Sequence, residues 1–168
     1  MARYRMALAK EDFKFSSAHF TLFANGAAEL LHGHNYRVRV EISGAGLDAE
    51  GLLLDIERFK RELRALCARL DSRTLIPGES SRLSWSRRGE SVEVCCGERS
   101  YRFPAADTLV LPLPNTSIEL LARMLWLDLA PHLAGSSVET LAVAVEESAG
   151  QQCWYEAELG PSSASRSR

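Results

Sequence analysis

Long apolar runs are missing from this chain of 168 residues. None approaches the ~20 residues an apolar helix needs to cross a bilayer, so no membrane partner is expected. An excess of one charge is missing too. Lys and Arg number 20, Asp and Glu 22, for a net charge of −2. That balance gives no electrostatic footprint for nucleic acid or an anionic membrane. Cysteine is sparse, and Cys67, Cys95, Cys96 and Cys153 contain no Cys-x-x-Cys pair of metal or redox spacing. Cys95 and Cys96 are adjacent, and neighbouring strand residues point to opposite faces. Reduced thiols serving as small hydrophobes suit a cytoplasmic protein. The start, Met1-Ala2-Arg3-Tyr4-Arg5, runs directly into alternating polar and apolar residues, so no signal peptide is expected.

What is present is a globular composition, with 46% hydrophobic and 25% charged residues and enough length for one real core. Residues 5–18 read as a strand and residues 20–31, with Asn25-Gly26, as a loop. Residues 32–43 alternate clearly: His32, His34, Tyr36, Val38, Val40 and Ile42 share one face. Ile56, Phe59, Leu63, Leu66 and Leu70 recur at helical spacing over 55–70, with Asp55 as N-cap. Residues 79–90 are polar and read as an exposed loop, and 91–96 with 99–103 as a hairpin around Gly97-Glu98. A second helix is expected over about 117–130, burying Leu121, Leu125 and Leu129. Strands at 138–147 and 152–159 close the order. The strict alternation in 32–43 argues for an antiparallel sheet covered on one face. One domain over residues 1–159 is expected, with 79–107 as an insertion. The polar stretch 160–168 is expected to be a disordered tail.

Three of the four histidines fall within residues 19–34. His32 and His34 flank Gly33 on a strand, where residues two apart share a face about 7 Å apart at the backbone. Two imidazoles so placed can converge on one zinc ion at distances of about 2.0–2.1 Å. His19 ends the preceding strand, and an antiparallel partner would bring it alongside. Three nitrogen ligands leave a fourth position open, the pattern of a catalytic rather than a structural metal site. His-x-His alone is a weak signal; the surrounding residues strengthen it.

Phe13-Lys14-Phe15-Ser16-Ser17-Ala18-His19 followed by Leu31-His32-Gly33-His34-Asn35-Tyr36 resembles the 6-pyruvoyltetrahydropterin synthase and 6-carboxytetrahydropterin synthase superfamily. Gly51-Leu52-Leu53-Leu54-Asp55-Ile56, Leu70-Asp71-Ser72, the block from Asn115 to Ala122, and Val143-Ala144-Val145-Glu146-Glu147-Ser148 resemble later family blocks in the same order. The resemblance covers residues 10–158. It implies an α+β tunnelling fold: an antiparallel four-stranded sheet with two helices on one face, here with an inserted hairpin. It also implies a homo-oligomeric ring, a trimer or hexamer. It implies zinc on His19, His32 and His34, and a pterin substrate. By position, Glu147 would anchor the 2-amino-pyrimidinone edge, accepting two N–H bonds, with Glu146 beside it facing solvent. Glu119 and Ser117 would line the pocket, although Ser117 is equally placed to cap a helix.

The chain departs from the family where protons are moved. The family's cysteine before Leu-His-Gly-His falls at Ala28, and its Asp-His pair is Asp71-Ser72 here. The metal ligands are kept, but the matched acid–base pair, typically worth about 10²–10⁴ in rate, is not. Glu29, beside the vacated position, and Asp71 are the candidate replacement bases; Glu29 is otherwise a solvated loop residue. Some family members with a glutamate near the cysteine position cleave the side chain to a 6-hydroxymethylpterin. Three functions follow: a zinc-dependent lyase or cyclase on a pterin such as dihydroneopterin triphosphate, a non-catalytic zinc- and pterin-binding member, or a structural oligomer. The retained ligands and Glu147 favour the enzyme. The 79–107 insertion would serve as a partner surface or a lid.

Overall fold

In the computed structural model, residues 2–160 are described; residues 161–168 of the expected tail lie outside them. The strands are β1 (Tyr4–Leu8), β2 (Lys14–His19), β3 (His32–Gly44), β4 (Arg73–Pro77), β5 (Ser84–Arg88), β6 (Ser91–Cys96), β7 (Arg99–Pro104), β8 (Thr108–Leu111), β9 (Thr140–Ser148) and β10 (Gln151–Glu158). Two helices, α1 (Ile56–Leu70) and α2 (Ile118–Leu129), complete the frame.

The alternation along β3 organises the whole. Tyr36, Val38, Val40 and Ile42 are all buried, because the face they share is covered by both helices. Helix α1 begins where the Asp55 carboxylate accepts the Arg58 N–H at 3.1 Å, satisfying one of the free donors of the first turn. It turns Phe59, Leu63, Cys67 and Leu70 inward. Helix α2 buries Leu121, Leu125 and Leu129 completely. These side chains meet Phe13, Phe15, Tyr36, Val38, Val40, Leu141, Val143 and Val145 in one continuous core.

The sheet has seven strands rather than four, in the order β10-β9-β3-β2-β4-β8, with β1 also on β3. Three differences from the sequence reading have physical causes. The stretch 5–18 is two strands, because residues between them turn out of the ladder and the Phe13 N–H bonds the Lys10 carbonyl at 3.1 Å. β1 then pairs with the far half of β3 and β2 with the near half. Strands β4 and β8 join in parallel, so the sheet is mixed. Both faces of β4 are covered, with Leu75 in the main core and Ile76 in a second cluster. A strand buried on both sides shows no alternation to read. Finally, residues 84–88 form β5 on β6, making the insertion a three-stranded sheet. Its polar sequence reflects an edge strand wet on both faces.

The insertion is not detached. Val92, Val94 and Cys96 of β6 pack with Phe20, Leu22 and Ile76, against the loop between β2 and β3. No helix among the described residues is long and apolar enough to cross a membrane.

Gly44, the last residue of β3, fixes the far end of the sheet. A Cβ there would meet the Ser137 carbonyl oxygen at 2.0 Å, a clash with backbone that cannot swing away. Gly44→Ala is expected to destabilise the protein by about 1–3 kcal/mol, the usual range for overpacking, read as a lower urea midpoint with unchanged slope. An unshifted midpoint would contradict this packing.

Candidate metal centre

The register of β2 on β3 builds the site. His19 lies directly opposite His32, and Ser17 opposite His34, so the three imidazoles share the helix-side face where the apolar core ends. Their ring centroids are 4.7, 4.8 and 5.3 Å apart, and one ligand nitrogen from each lies within 4.8 Å of the others. His19 is buried, and the other two are half-buried. The His34 ring is edge-on to Tyr36, which stacks on Phe15 at 4.7 Å.

Backbone carbonyls orient two of the rings. His19 Nδ1 is 3.0 Å from the Thr116 oxygen, and His32 Nδ1 is 2.7 Å from the Leu30 oxygen. A ring that donates from Nδ1 keeps a lone pair on Nε2, the arrangement that metal-binding histidines use. His19 Nε2 is then a buried nitrogen with no partner among the described residues, which is costly unless something outside the chain satisfies it. His32 Nε2 and His34 Nε2 approach to 2.9 Å. Two lone pairs that close repel, so the pair requires either a proton or a cation between them. The orphaned nitrogen, the convergent Nε2 atoms and the all-nitrogen donor set fit a borderline divalent metal.

Burial, followed by the nearby His32, pushes the His19 pKa down to about 4, against the pull of its Thr116 hydrogen bond. His19 is therefore neutral near pH 7, the form a ligand needs.

Two carboxylates approach the imidazoles. Glu147 lies 4.0 Å from His34 Nε2 and also accepts a hydrogen bond from the Gln151 amide. Glu29, on the loop between β2 and β3, lies within electrostatic reach of His32 and His19. Burial alone would raise its pKa, but hydrogen bonding from Thr21, whose N–H reaches the carboxylate at 2.9 Å, and the charges of His32 and His19 hold it below the usual value. Glu29 is ionised at neutral pH. The buried Tyr36 hydroxyl, which no described group satisfies, has its pKa raised by burial and then by Glu147 and Glu29.

The remaining expected residues stand apart. Asp71 ends α1 and accepts the Ser16 N–H at 2.7 Å and the Ser72 hydroxyl at 3.3 Å. Ser16 precedes His19 by three residues, which puts Asp71 about 10 Å along the strand at ~3.3 Å per residue. It adjoins a cleft of about 440 Å³ lined by Ser16, Ala18, Gly33, Asn35 and Ser72, which also reaches His34. Ser117 occupies the N-cap position of α2, but its hydroxyl caps nothing. Glu119 is exposed and raises the Cys153 thiol pKa after burial does. Glu146, read as solvent-facing, is instead buried, paired to Arg39 at 2.7 Å and accepting the Gly150 N–H at 3.1 Å. Gly33 is not forced by crowding, since an added Cβ would meet its nearest neighbour at 3.4 Å.

Sequence reasoning missed Thr116. It is fully buried, its carbonyl orients His19, and its hydroxyl donates to the Phe20 carbonyl at 3.0 Å. A carbonyl's role carries no residue-type signature, so only its place before a helix could have suggested it.

Comparison with known proteins fits this geometry. The family model for 6-pyruvoyl tetrahydropterin synthase matches residues 8–158. A Methanocaldococcus jannaschii protein provisionally named 6-carboxy-5,6,7,8-tetrahydropterin synthase is 26% identical over 145 residues, covering 84% of this chain and 88% of that one. A Pyrococcus horikoshii protein of the same provisional name is 28% identical over 136 residues, 80% of each chain. Among solved structures, a Plasmodium vivax 6-pyruvoyltetrahydropterin synthase superposes with a TM-score of 0.87 at 26% identity, covering 94% of this chain and 99% of that one. That structure is of a variant in which a catalytic glutamate is replaced by alanine.

The His19 shift predicts how acid acts on the metal-free protein. Its folded pKa of about 4 lies below the unfolded value of 6.5, so between them the unfolded state binds the extra proton. The contribution is fully present above about 6.5, is lost as pH falls to about 4, and changes no further below that. Urea midpoints of metal-free protein should decline across this window, and the decline should be absent in His19→Gln. A flat profile in the native protein would show that His19 is not held neutral by burial.

Proposed function

The chain belongs to the 6-pyruvoyl tetrahydropterin synthase family, and from that membership we propose that it is a zinc-dependent lyase acting on a pterin such as dihydroneopterin triphosphate, with a carboxylate in place of the family's cysteine. The observation that carries the reading is the convergence of three imidazole nitrogens beside two carboxylates, Glu29 and Glu147. A non-catalytic binding protein needs the grip but gains nothing from an ionised carboxylate next to the metal ligands.

His19, His32 and His34 would hold the zinc. When bound, zinc acts as a Lewis acid toward an oxygen of the substrate side chain. The other roles fall to the chain itself. Glu147 accepts the N–H groups of the pterin edge, a charge-assisted and directional contact. Glu29, ionised and half-buried, takes a proton from the side chain of the bound pterin. Its lowered pKa makes it a modest base, which suits a hydroxyl proton better than a carbon-bound one. The Plasmodium vivax neighbour, whose catalytic residue is a glutamate, lends support to a carboxylate in this role. Asp71, tied up by Ser16 and Ser72, is the weaker candidate. Thr116 and Leu30 keep two of the rings in the tautomer that binds metal.

The test is to incubate zinc-loaded protein with dihydroneopterin triphosphate and identify products by mass spectrometry. We expect side-chain cleavage to a 6-hydroxymethylpterin in preference to the 6-pyruvoyl or 6-carboxy product. Glu29→Gln should lower kcat by about 10²–10⁴, the usual worth of general base catalysis, with zinc content and pterin binding retained. Glu147→Gln should weaken pterin binding as well, and His32→Ala should abolish stoichiometric zinc. Pterin binding without turnover, insensitive to Glu29→Gln, would favour the non-catalytic reading.

We infer, too, that the chain assembles with copies of itself. Strands β8 and β10 end the sheet path, and unpaired strand edges invite pairing. Light scattering should give a mass that is a trimeric or hexameric multiple of 18.6 kDa; a monomer at micromolar concentration would refute it.

A further inference from the structure

We propose that Arg99, on β7 of the inserted sheet, is a positioning residue for Glu29; the inference rests on the reading of Glu29 as the base. Glu29 lies on the long connection between β2 and β3, and a base on a loop works only if the loop is held. The loop first folds on itself. The Glu29 N–H bonds the Thr21 carbonyl at 3.0 Å, Leu22 bridges Ala28, and Gly26 turns the tip with φ of +84°.

Those contacts are internal, and something must fix each arm to the body. On the ascending arm Asn115 does so, accepting the Leu22 N–H at 3.0 Å and donating to the Leu22 carbonyl at 2.9 Å. On the descending arm Arg99 ties the Ala28 and Glu29 carbonyls to the inserted sheet. One guanidinium nitrogen donates to the Ala28 carbonyl at 3.1 Å and to the Glu29 carbonyl at 2.7 Å. The same arm carries the Leu30 carbonyl that orients His32, while the Leu30 side chain is exposed and contributes no anchor.

The strand that carries Arg99 is itself fixed to the loop's base. Tyr101 stacks on Phe20 at 5.7 Å, and Phe103 stacks on Tyr101. The insertion therefore runs from a packed aromatic column at one end of the loop to a cation at the other. A guanidinium stays charged at every working pH and presents donors in a rigid plane, so it suits two successive carbonyls. Arg99 is exposed, so its loss should cost little global stability. Its effect should appear in geometry, where a displacement of about 1 Å can cost up to ~10²-fold in rate.

The experiment uses full-length, zinc-loaded protein with dihydroneopterin triphosphate and compares Arg99→Ala, Arg99→Lys, Glu29→Gln and the double variant Arg99→Ala/Glu29→Gln. Hydrogen exchange is followed for residues 22–31. The proposal expects Arg99→Ala to lower kcat about tenfold, with KM, zinc content and melting temperature unchanged and faster exchange on the descending arm. Arg99→Lys, which keeps a cationic donor, should recover part of the loss and serves as the readout should the alanine variant misfold. On the Glu29→Gln background Arg99→Ala should cost nothing further. Equal losses on both backgrounds, or no loss from Arg99→Ala while Glu29→Gln is crippled, would overturn the positioning role and leave the proposed function standing. An unimpaired Glu29→Gln would instead remove the base assignment, and the positioning role with it.

Discussion

The pairing of β2 with β3 is the constraint on which the site depends. In this register His19 stands opposite His32, and Phe15 opposite Tyr36. The apolar pairs face the helices, and the imidazoles occupy the same face just beyond the core. A slip of one residue would send every side chain of β2 to the other face. Phe15 would leave the core at the moment His19 left the histidine cluster. Core burial and ligand geometry thus enforce one alignment. The apolar stake is large, since Phe13, Phe15, Tyr36 and Val38 are all essentially unexposed.

That coupling explains why the clustering of the histidines was legible. A period-two pattern running unbroken from His32 to Ile42 states both the strand and the face on which the histidines lie. His19 needed the further step of an antiparallel partner, for which the alternation argued and which the family resemblance strengthened. The helices were legible for the same reason: periodic apolar residues at 59, 63 and 70, and at 121, 125 and 129, all reach the core. Strands β4, β5 and β8 were not. β4 is covered on both faces, β5 is wet on both, and β8 is half-buried along most of its four residues. None alternates, so periodicity had nothing to report. Parallel pairing adds to the difficulty, because it is decided by partners distant in sequence.

The parts of the site that stayed hidden are mostly backbone. The carbonyls of Thr116, Leu30, Ala28 and Glu29 hold His19, His32 and Arg99, and a carbonyl belongs to every residue type. Glu146 was misread for a related reason. The alternation correctly separated it from Glu147, but the face opposite the helices is not simply solvent there. Arg39 reaches it diagonally from β3 and pairs with it. A charged residue on the outer face of a sheet can be buried by an equally charged neighbour, and a one-residue pattern does not reveal that.

The electrostatic layout accounts for why loss of the cysteine and histidine need not empty the site of chemistry. Burial holds His19 neutral without any help from those residues, so the metal-binding state survives their replacement. Against burial, hydrogen bonding from Thr21, with a smaller contribution from the nearby His32, holds the Glu29 pKa down. A bound cation would reinforce this, since opposite charge nearby favours the carboxylate. A thiol at the family position has to be deprotonated by a partner before it can act, which is what the Asp-His pair provides. A carboxylate arrives already deprotonated and needs no such partner. On the proposed assignment of Glu29 as the base, Ala28 in place of the cysteine would leave no demand for a histidine at position 72. With no imidazole to serve, Asp71 is free to act as a structural acceptor for Ser16 and Ser72. On that assignment the two departures from the family pattern, Ala28 and Ser72, would be one change made at two places.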